Sequence, residues 1–360
     1  MKLPSLPLSL IRKTKSHVLG VDIGSHSIKI IELVASGDKV ILKKMGRALV
    51  PIGAIKDGII AEDRAALTDV LKALLDNLKP KSRLAATSIA GYSVIVKKVR
   101  VPYTDEKEIE ENLDIEAENY VPFEITDVYM DFHMLRSSDA EIPRKQGTEI
   151  FLTAAKKEIV DSYAALMQDA GLTPAVVDID AFALSNSFEG VYSVTGPVCL
   201  VDIGARKTNL NIVNHGIPLF ARDISMGGAQ ITEAFQEAGG ISFEEAEKIK
   251  MAGGPEEGIM RQFSLIVDEI CNQWGQEIKK ILDFHCSNSP EEDWPGRIYL
   301  SGGASLMKGL PDKISQITGL ETLVFNPFQG VVFDKSIDID YAYSIAPQMA
   351  IALGLALRDS

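Results

Sequence analysis

Cysteine is scarce in this 360-residue chain. Cys199, Cys271 and Cys286 are scattered, with no Cys-x-x-Cys pair and no histidine pair nearby. An odd, dispersed set argues against a disulfide framework and a zinc site, and reads as reduced core thiols of a cytoplasmic protein. Positive charge is also in deficit. With 37 Lys and Arg against 50 Asp and Glu the formal net charge is −13. No basic run interleaved with aromatics occurs, which argues against nucleic acid as a partner. Long apolar runs are missing as well: the nearest, IAPQMAIALGLAL by the C-terminus, falls short of the roughly 20 residues that cross a bilayer. The opening MKLPSLPLSLIRKTKSH has two prolines in its apolar stretch and its basic cluster (Arg12, Lys13, Lys15) afterwards, the wrong order for a secretory signal. Residues 1–16 therefore read as a tail with marginal affinity for an anionic surface.

The remaining composition, 46% hydrophobic and 24% charged, is that of a folded protein, and the length exceeds what one core comfortably supports. Two halves are expected, and the sequence repeats itself accordingly. HVLGVDIGSHSIKIIEL (17–33) and PVCLVDIGARKTNLNIV (197–213) share an apolar run, Val-Asp-Ile-Gly, a polar turn and a second apolar run. Asp22 and Asp202 stand 180 residues apart (202 − 22). Alternation predicts strand meanders over 17–22, 27–34 and 39–48, and again over 197–203, 209–214 and 217–224. Leu67, Val70, Leu71, Leu74, Leu75 and Leu78 form one face of a helix after the first meander. A long helix is expected over 257–285, and a buried strand ends in Gly302-Gly303 before a helix that starts near Gly309.

Between Gly91 and Ala155 a small α/β insert is expected: strand SVIVKKVRVP, an acidic helix from Thr104 to Tyr120, and strands DVYMDFHML and TEIFLTAA. Ile109, Leu113 and Ile115 supply the apolar stripe of that helix, so its carboxylates form a solvated face and not a site.

A strand ending in Asp-x-Gly that turns tightly into an antiparallel partner presents backbone N–H groups at its tip, where they can cradle phosphate. One such turn is an ordinary hairpin. Two in similar halves could grip a triphosphate from both sides, the two aspartates holding its hydrated metal.

These segments resemble the five-part signature of the actin, Hsp70 and sugar kinase superfamily. GVDIGSHSIKIIEL is similar to its first phosphate segment, VDIDAFALSNSF to the first connecting segment and LVDIGARKTNLNIV to the second phosphate segment; IYLSGGASLMKGL resembles the adenosine segment and APQMAIALGLAL the second connecting one. An insert between the first half's helix and the first connecting segment resembles the FtsA and PilM families. DIGSHSIKIIEL, YVPFEITDVYMDFHML and VDIDAFALSNSFE are similar to PilM, and the ending ALGLALRDS lacks the linker and amphipathic helix usual in FtsA.

The resemblance implies an α/β, actin-like, two-lobed nucleotide-binding fold with an inserted SHS2-like subdomain. The expected division is a tail at 1–16, a first subdomain from 17–92, 156–196 and 346–360, and the insert at 93–155. A second actin-like subdomain would come from 197–228 and 297–345, and a helical one from 229–296. ATP and Mg²⁺ are the implied cofactors, with Asp22 and Asp202 at the metal. Gly24, Ser25, His26, Ser27, Lys29, Gly204, Ala205 and Thr208 would meet the phosphates, Gly302, Gly303 and Leu306 the adenosine, and Glu247 and Lys248 the ribose or base. Asp180 stands where actin has its water-positioning glutamine. Ala205 and Arg206 replace an acidic residue and a glycine of actin, so at most slow turnover is expected. The implied role is a cytoplasmic scaffold of the type IV pilus machine, peripheral at the inner membrane, whose insert docks the N-terminal tail of PilN; pilus motor ATPases are further candidate partners. An FtsA-like filament protein and a small-molecule kinase are the alternatives, and the latter would need Asp180 as its base.

Overall fold

The computed structural model describes residues 18–36, 39–135, 147–251 and 260–358. The expected tail and the start of the helix expected from 257 lie outside the described residues. The first lobe begins with an antiparallel meander, β1 (Leu19–Ile23), β2 (Ser27–Ser36) and β3 (Lys39–Leu49), in which Asp22 faces Lys29. A short hairpin, β4 (Ile55–Lys56) and β5 (Ile59–Ile60), leads to α1 (Ala65–Leu78). Its Leu67, Leu71, Leu74 and Leu75 are buried, the 3–4 spacing that seats a helix on a sheet. Lys79 ends it in the left-handed region (φ 48°), its N–H closing on the Leu75 carbonyl. Strand β6 (Leu84–Ile89) then returns parallel to β1.

The insert follows as β7 (Val94–Val101), α2 (Glu106–Ala117), β8 (Val128–Met134) and β9 (Thr148–Lys156), with β9 central in a three-stranded sheet. Helix α2 buries Ile109, Leu113 and Ala117 against Val101, Ile150 and Leu152. Ile115, expected in that stripe, is 64% exposed because it falls on the outer face. The chain re-enters the first lobe through α3 (Lys157–Asp169), β10 (Thr173–Ile179), parallel to β6, and α4 (Asp180–Val191).

The second lobe repeats the plan. Strands β11 (Val198–Ile203), β12 (Thr208–Asn214) and β13 (Ile217–Ile224) form its meander, and α5 (Ala229–Gly239), α6 (Phe243–Met251) and α7 (Met260–Asn288) cover it. β14 (Arg297–Ser301), α8 (Leu310–Thr318) and β15 (Glu321–Val324) complete the sheet. Its order, β13-β12-β11-β14-β15, reproduces β3-β2-β1-β6-β10 of the first lobe. The repeated phrase in the sequence is thus a repeated sheet. Phe235, Phe263, Trp274 and Ile278 fill the core beneath its helices. Cys199 and Cys271 are buried and all three cysteines are free, as their scatter suggested.

The C-terminal segment corrects one expected boundary. The sequence pattern places residues 297–345 in the second lobe, but β16 (Val332–Phe333) pairs with β3, and α9 (Ile339–Ser344) follows on the same side. Apolar packing is the reason: Phe328, Ala342, Ile345 and Met349 close over Ile31, Leu33 and Leu42 of the first lobe. The last helix, α10 (Ala350–Ala356), is buried along its whole length. It is wedged between β1 and α4 at backbone distance. A Cβ on Gly20 would strike the Ala352 carbonyl and one on Gly354 the Ala183 carbonyl, so only glycine permits either approach. Arg358 then reaches the buried Asp178 at 2.6 Å. Among the described residues no helix is long and apolar enough to cross a membrane.

Candidate functional site

The β1–β2 and β11–β12 turns are built alike. Gly24 N–H donates to the Ser27 carbonyl at 3.2 Å, and Gly204 N–H to the Lys207 carbonyl at 2.9 Å. Both tips open into one cleft of about 380 Å³ between the lobes. The first hairpin contributes Asp22, Gly24, Ser25, His26, Ser27 and Lys29, and the second Asp202, Gly204 and Ala205. Asp180, from the first turn of α4, lines the same space, as do Glu247, Gly302, Gly303 and Leu306. Gly302 (φ 82°) has no room for a side chain, because a Cβ there would run into the Ile203 backbone at the root of the second hairpin.

Two expected residues are placed elsewhere. Thr208 is fully buried and donates its hydroxyl to the Met226 carbonyl at 3.0 Å, inside the sheet and away from the cleft. Lys248 is exposed on the far side of α6, since Glu247, Lys250 and Met251 are the positions that helical spacing turns inward. Lys250 is the lysine at this wall. Its ammonium meets Glu247 Oε2 at 2.6 Å, Thr232 Oγ1 at 2.8 Å and the Gly228 carbonyl at 3.1 Å. Its i,i+3 spacing from Glu247 was readable in FEEAEKIK. Lys207, Ser88, Arg47 and Asp223 also line the cleft unannounced. Arg206 lines the cleft as well and pairs with Glu233 at 3.0 Å.

Carboxylates crowd the floor. Asp22 accepts from Lys29 at 3.0 Å, yet burial outweighs that partner and pushes its pKa up. Burial raises Asp202 to about 6, even though Ser301 Oγ donates to it at 2.8 Å, and the nearby Asp22 and Asp180 add to the rise. Asp180 goes the other way. Burial would raise it, but Lys207 at 2.8 Å and Ser88 at 2.6 Å occupy both its oxygens and hold it below the usual range. Burial lowers the His26 imidazole, while Glu247 pulls against that shift.

These oxygens fit a hydrated Mg²⁺. Among the described residues no cluster of three or more His, Cys, Asp or Glu could ligate a metal directly. Two neighbouring carboxylates, both with raised pKa, are instead suited to hold the water shell of a hard dication that relieves their repulsion.

Residues 20–360 match the family described as type IV pilus assembly protein PilM. The chain belongs to the PilM family. A solved PilM-PilN type IV pilus biogenesis complex is similar with a TM-score of 0.84 at 29% identity, covering 96% of this chain and 98% of that one. More distant likenesses extend to the ethanolamine utilization protein EutJ from Carboxydothermus hydrogenoformans (TM-score 0.57, 16% identity, 99% and 92% covered). MreB 5 of Spiroplasma citri bound to AMPPNP is also similar (TM-score 0.52, 13% identity, 94% and 95% covered). The last two share the fold alone. The two-lobed, actin-like architecture expected from the five segments is the architecture of this PilM family member.

Proposed function

We propose that this PilM family member is a nucleotide-binding scaffold that grips Mg²⁺ and ATP between its hairpins and docks the cytoplasmic N-terminal tail of PilN. The observation that carries the reading is the pair of matched tips, Gly24–Ser27 and Gly204–Lys207, with Asp22 and Asp202 at their roots, opening into one cleft. Backbone N–H groups at the tips would receive phosphate oxygens, the aspartates the hydrated metal, and the Gly302–Leu306 wall the adenosine. Bound Mg²⁺ supplies charge neutralisation of the triphosphate.

Asp180 is poorly placed as a base, since both its oxygens are engaged and its pKa is held low. With Ala205 and the Glu233-paired Arg206 in the second loop, turnover by the protein alone should fall below the roughly 1–100 s⁻¹ of kinases. Phosphate release at such rates would overturn the scaffold reading in favour of the kinase one. Partner binding rests on the likeness to the PilM-PilN complex and on the insert, which contributes none of the five segments. Its outer strands β7 and β8 each leave an edge that an extended peptide can pair with. The chain would sit peripherally at the inner membrane through that partner.

Calorimetry tests the grip. Asp22→Ala and Asp202→Ala should each weaken Mg²⁺–ATP binding about tenfold or more, and the loss should vanish when EDTA removes the metal. Equal affinities in wild type and both variants would sink the two-sided grip.

A further inference from the structure

The two cleft-floor lysines are used differently. Lys29 faces Asp22 directly across the β1–β2 register, so their pair stays inside one hairpin and does not depend on how far apart the lobes stand. At the matching place in the second hairpin, opposite Asp202, stands Asn209, whose amide donates to Asp223 at 2.7 Å. The second hairpin carries its cation at the tip instead. Lys207 Nζ crosses the cleft to Asp180 Oδ2 at 2.8 Å, tying the β11–β12 turn of one lobe to the start of α4 in the other.

The cleft has two ends. One is bounded by Gly303, Leu306 and Glu247, beyond β14. At the other, the β6–β10 side of the first lobe meets the β12–β13 side of the second: Gly91 N–H donates to Asp223 there, beside the Lys207–Asp180 pair. A nucleotide with its adenosine at the first end would run its phosphates past both tips toward the second, where Lys207 lines the cleft within reach of the last of them.

We propose that Lys207 is the residue by which this chain distinguishes a nucleoside triphosphate from a diphosphate, exchanging its Asp180 partner for the terminal phosphate. The inference rests on the cleft being a nucleotide site, as argued above. An ammonium on a flexible stem can swing between two anions, and a terminal phosphate offers it more negative charge than a carboxylate does. A diphosphate, one phosphate shorter, would leave Lys207 on Asp180, and the interlobe tie would survive. The two ligands therefore favour different lobe arrangements, which is the differential interaction any switch requires.

Calorimetry with Mg²⁺ and either AMPPNP or ADP tests this on the full chain and on Lys207→Met, Lys207→Arg and the double variant Lys207→Met/Asp180→Asn. Wild type should prefer AMPPNP about tenfold, and Lys207→Met should lose that preference through AMPPNP alone, its ADP affinity staying within about twofold. Lys207→Arg should keep most of it. The double variant removes the carboxylate stranded by the single change, so it reports on the preference even if Lys207→Met folds poorly. A preference unchanged in the double variant, or equal binding of both nucleotides by wild type, overturns this assignment and leaves the nucleotide site standing. Wild type that binds neither nucleotide overturns the site reading and this assignment with it.

Discussion

At the scale of single residues, the site is governed by carboxylates that burial makes uncomfortable. Asp202, raised to about 6, binds its proton more tightly in the folded chain than in the unfolded one. That contribution is complete below its ordinary value near 4 and is lost as pH rises through 6. Above pH 6 the ligand-free protein therefore carries a destabilising charge. Asp202→Asn, which can still accept from Ser301, should raise stability by about 1–3 kcal/mol near pH 7.5 and by almost nothing near pH 4. Urea titrations at the two pH values check this, and a gain of equal size at both would contradict it. Asp180 has the opposite sign: its depressed pKa stabilises the fold above the ordinary carboxylate range and is lost on acidification. Asp22, Asp202, both tips and Gly302-Gly303 were legible in the sequence because each sits in a short segment whose residue types report its local geometry. Lys207 was not: what places it is Asp180, a partner on another element, which no local pattern announces, whereas the spacing of Lys250 from Glu247 on one helix was there to be read.

Elements were legible where burial imposes a period. The expected strands 197–203 and 217–224 are found at Val198–Ile203 and Ile217–Ile224, and the leucine face of α1 packs as its spacing requires. Strand β16 was missed since two residues carry no period, and its place is fixed by the Phe328 and Ile345 packing around it. The α10–α4 crossing offers a sharp test. Gly354→Val should destabilise the protein by at least about 3 kcal/mol, because any Cβ there meets the Ala183 carbonyl and one helix must shift. Gly296→Ala, where nothing lies within 4 Å of the new methyl group, should stay within about 0.5 kcal/mol of wild type. Denaturation curves showing similar losses for both would remove the crossing's special status.

For the whole molecule, the doubled phrase predicted two lobes, and the matched strand orders explain it: each lobe brings the same hairpin to the same cleft. Docking belongs to this scale too. Deleting residues 1–16 should leave membrane localisation intact in cells that contain the PilN-like partner, and a peptide copying the partner's tail should release the protein while ATP binding survives. Fractionation that finds the deletion alone in the cytosol would make the tail the anchor. The burial of α10 between β1 and α4 carries a consequence for biosynthesis. The second sheet is drawn from one continuous stretch, 198–324, whereas the first needs β1 near the start of the chain and α10 and Arg358 near its end. Closing that long loop comes late. The lobe translated first should therefore be the lobe that finishes folding last, open to proteases and chaperones on the ribosome until residues 350–358 have emerged.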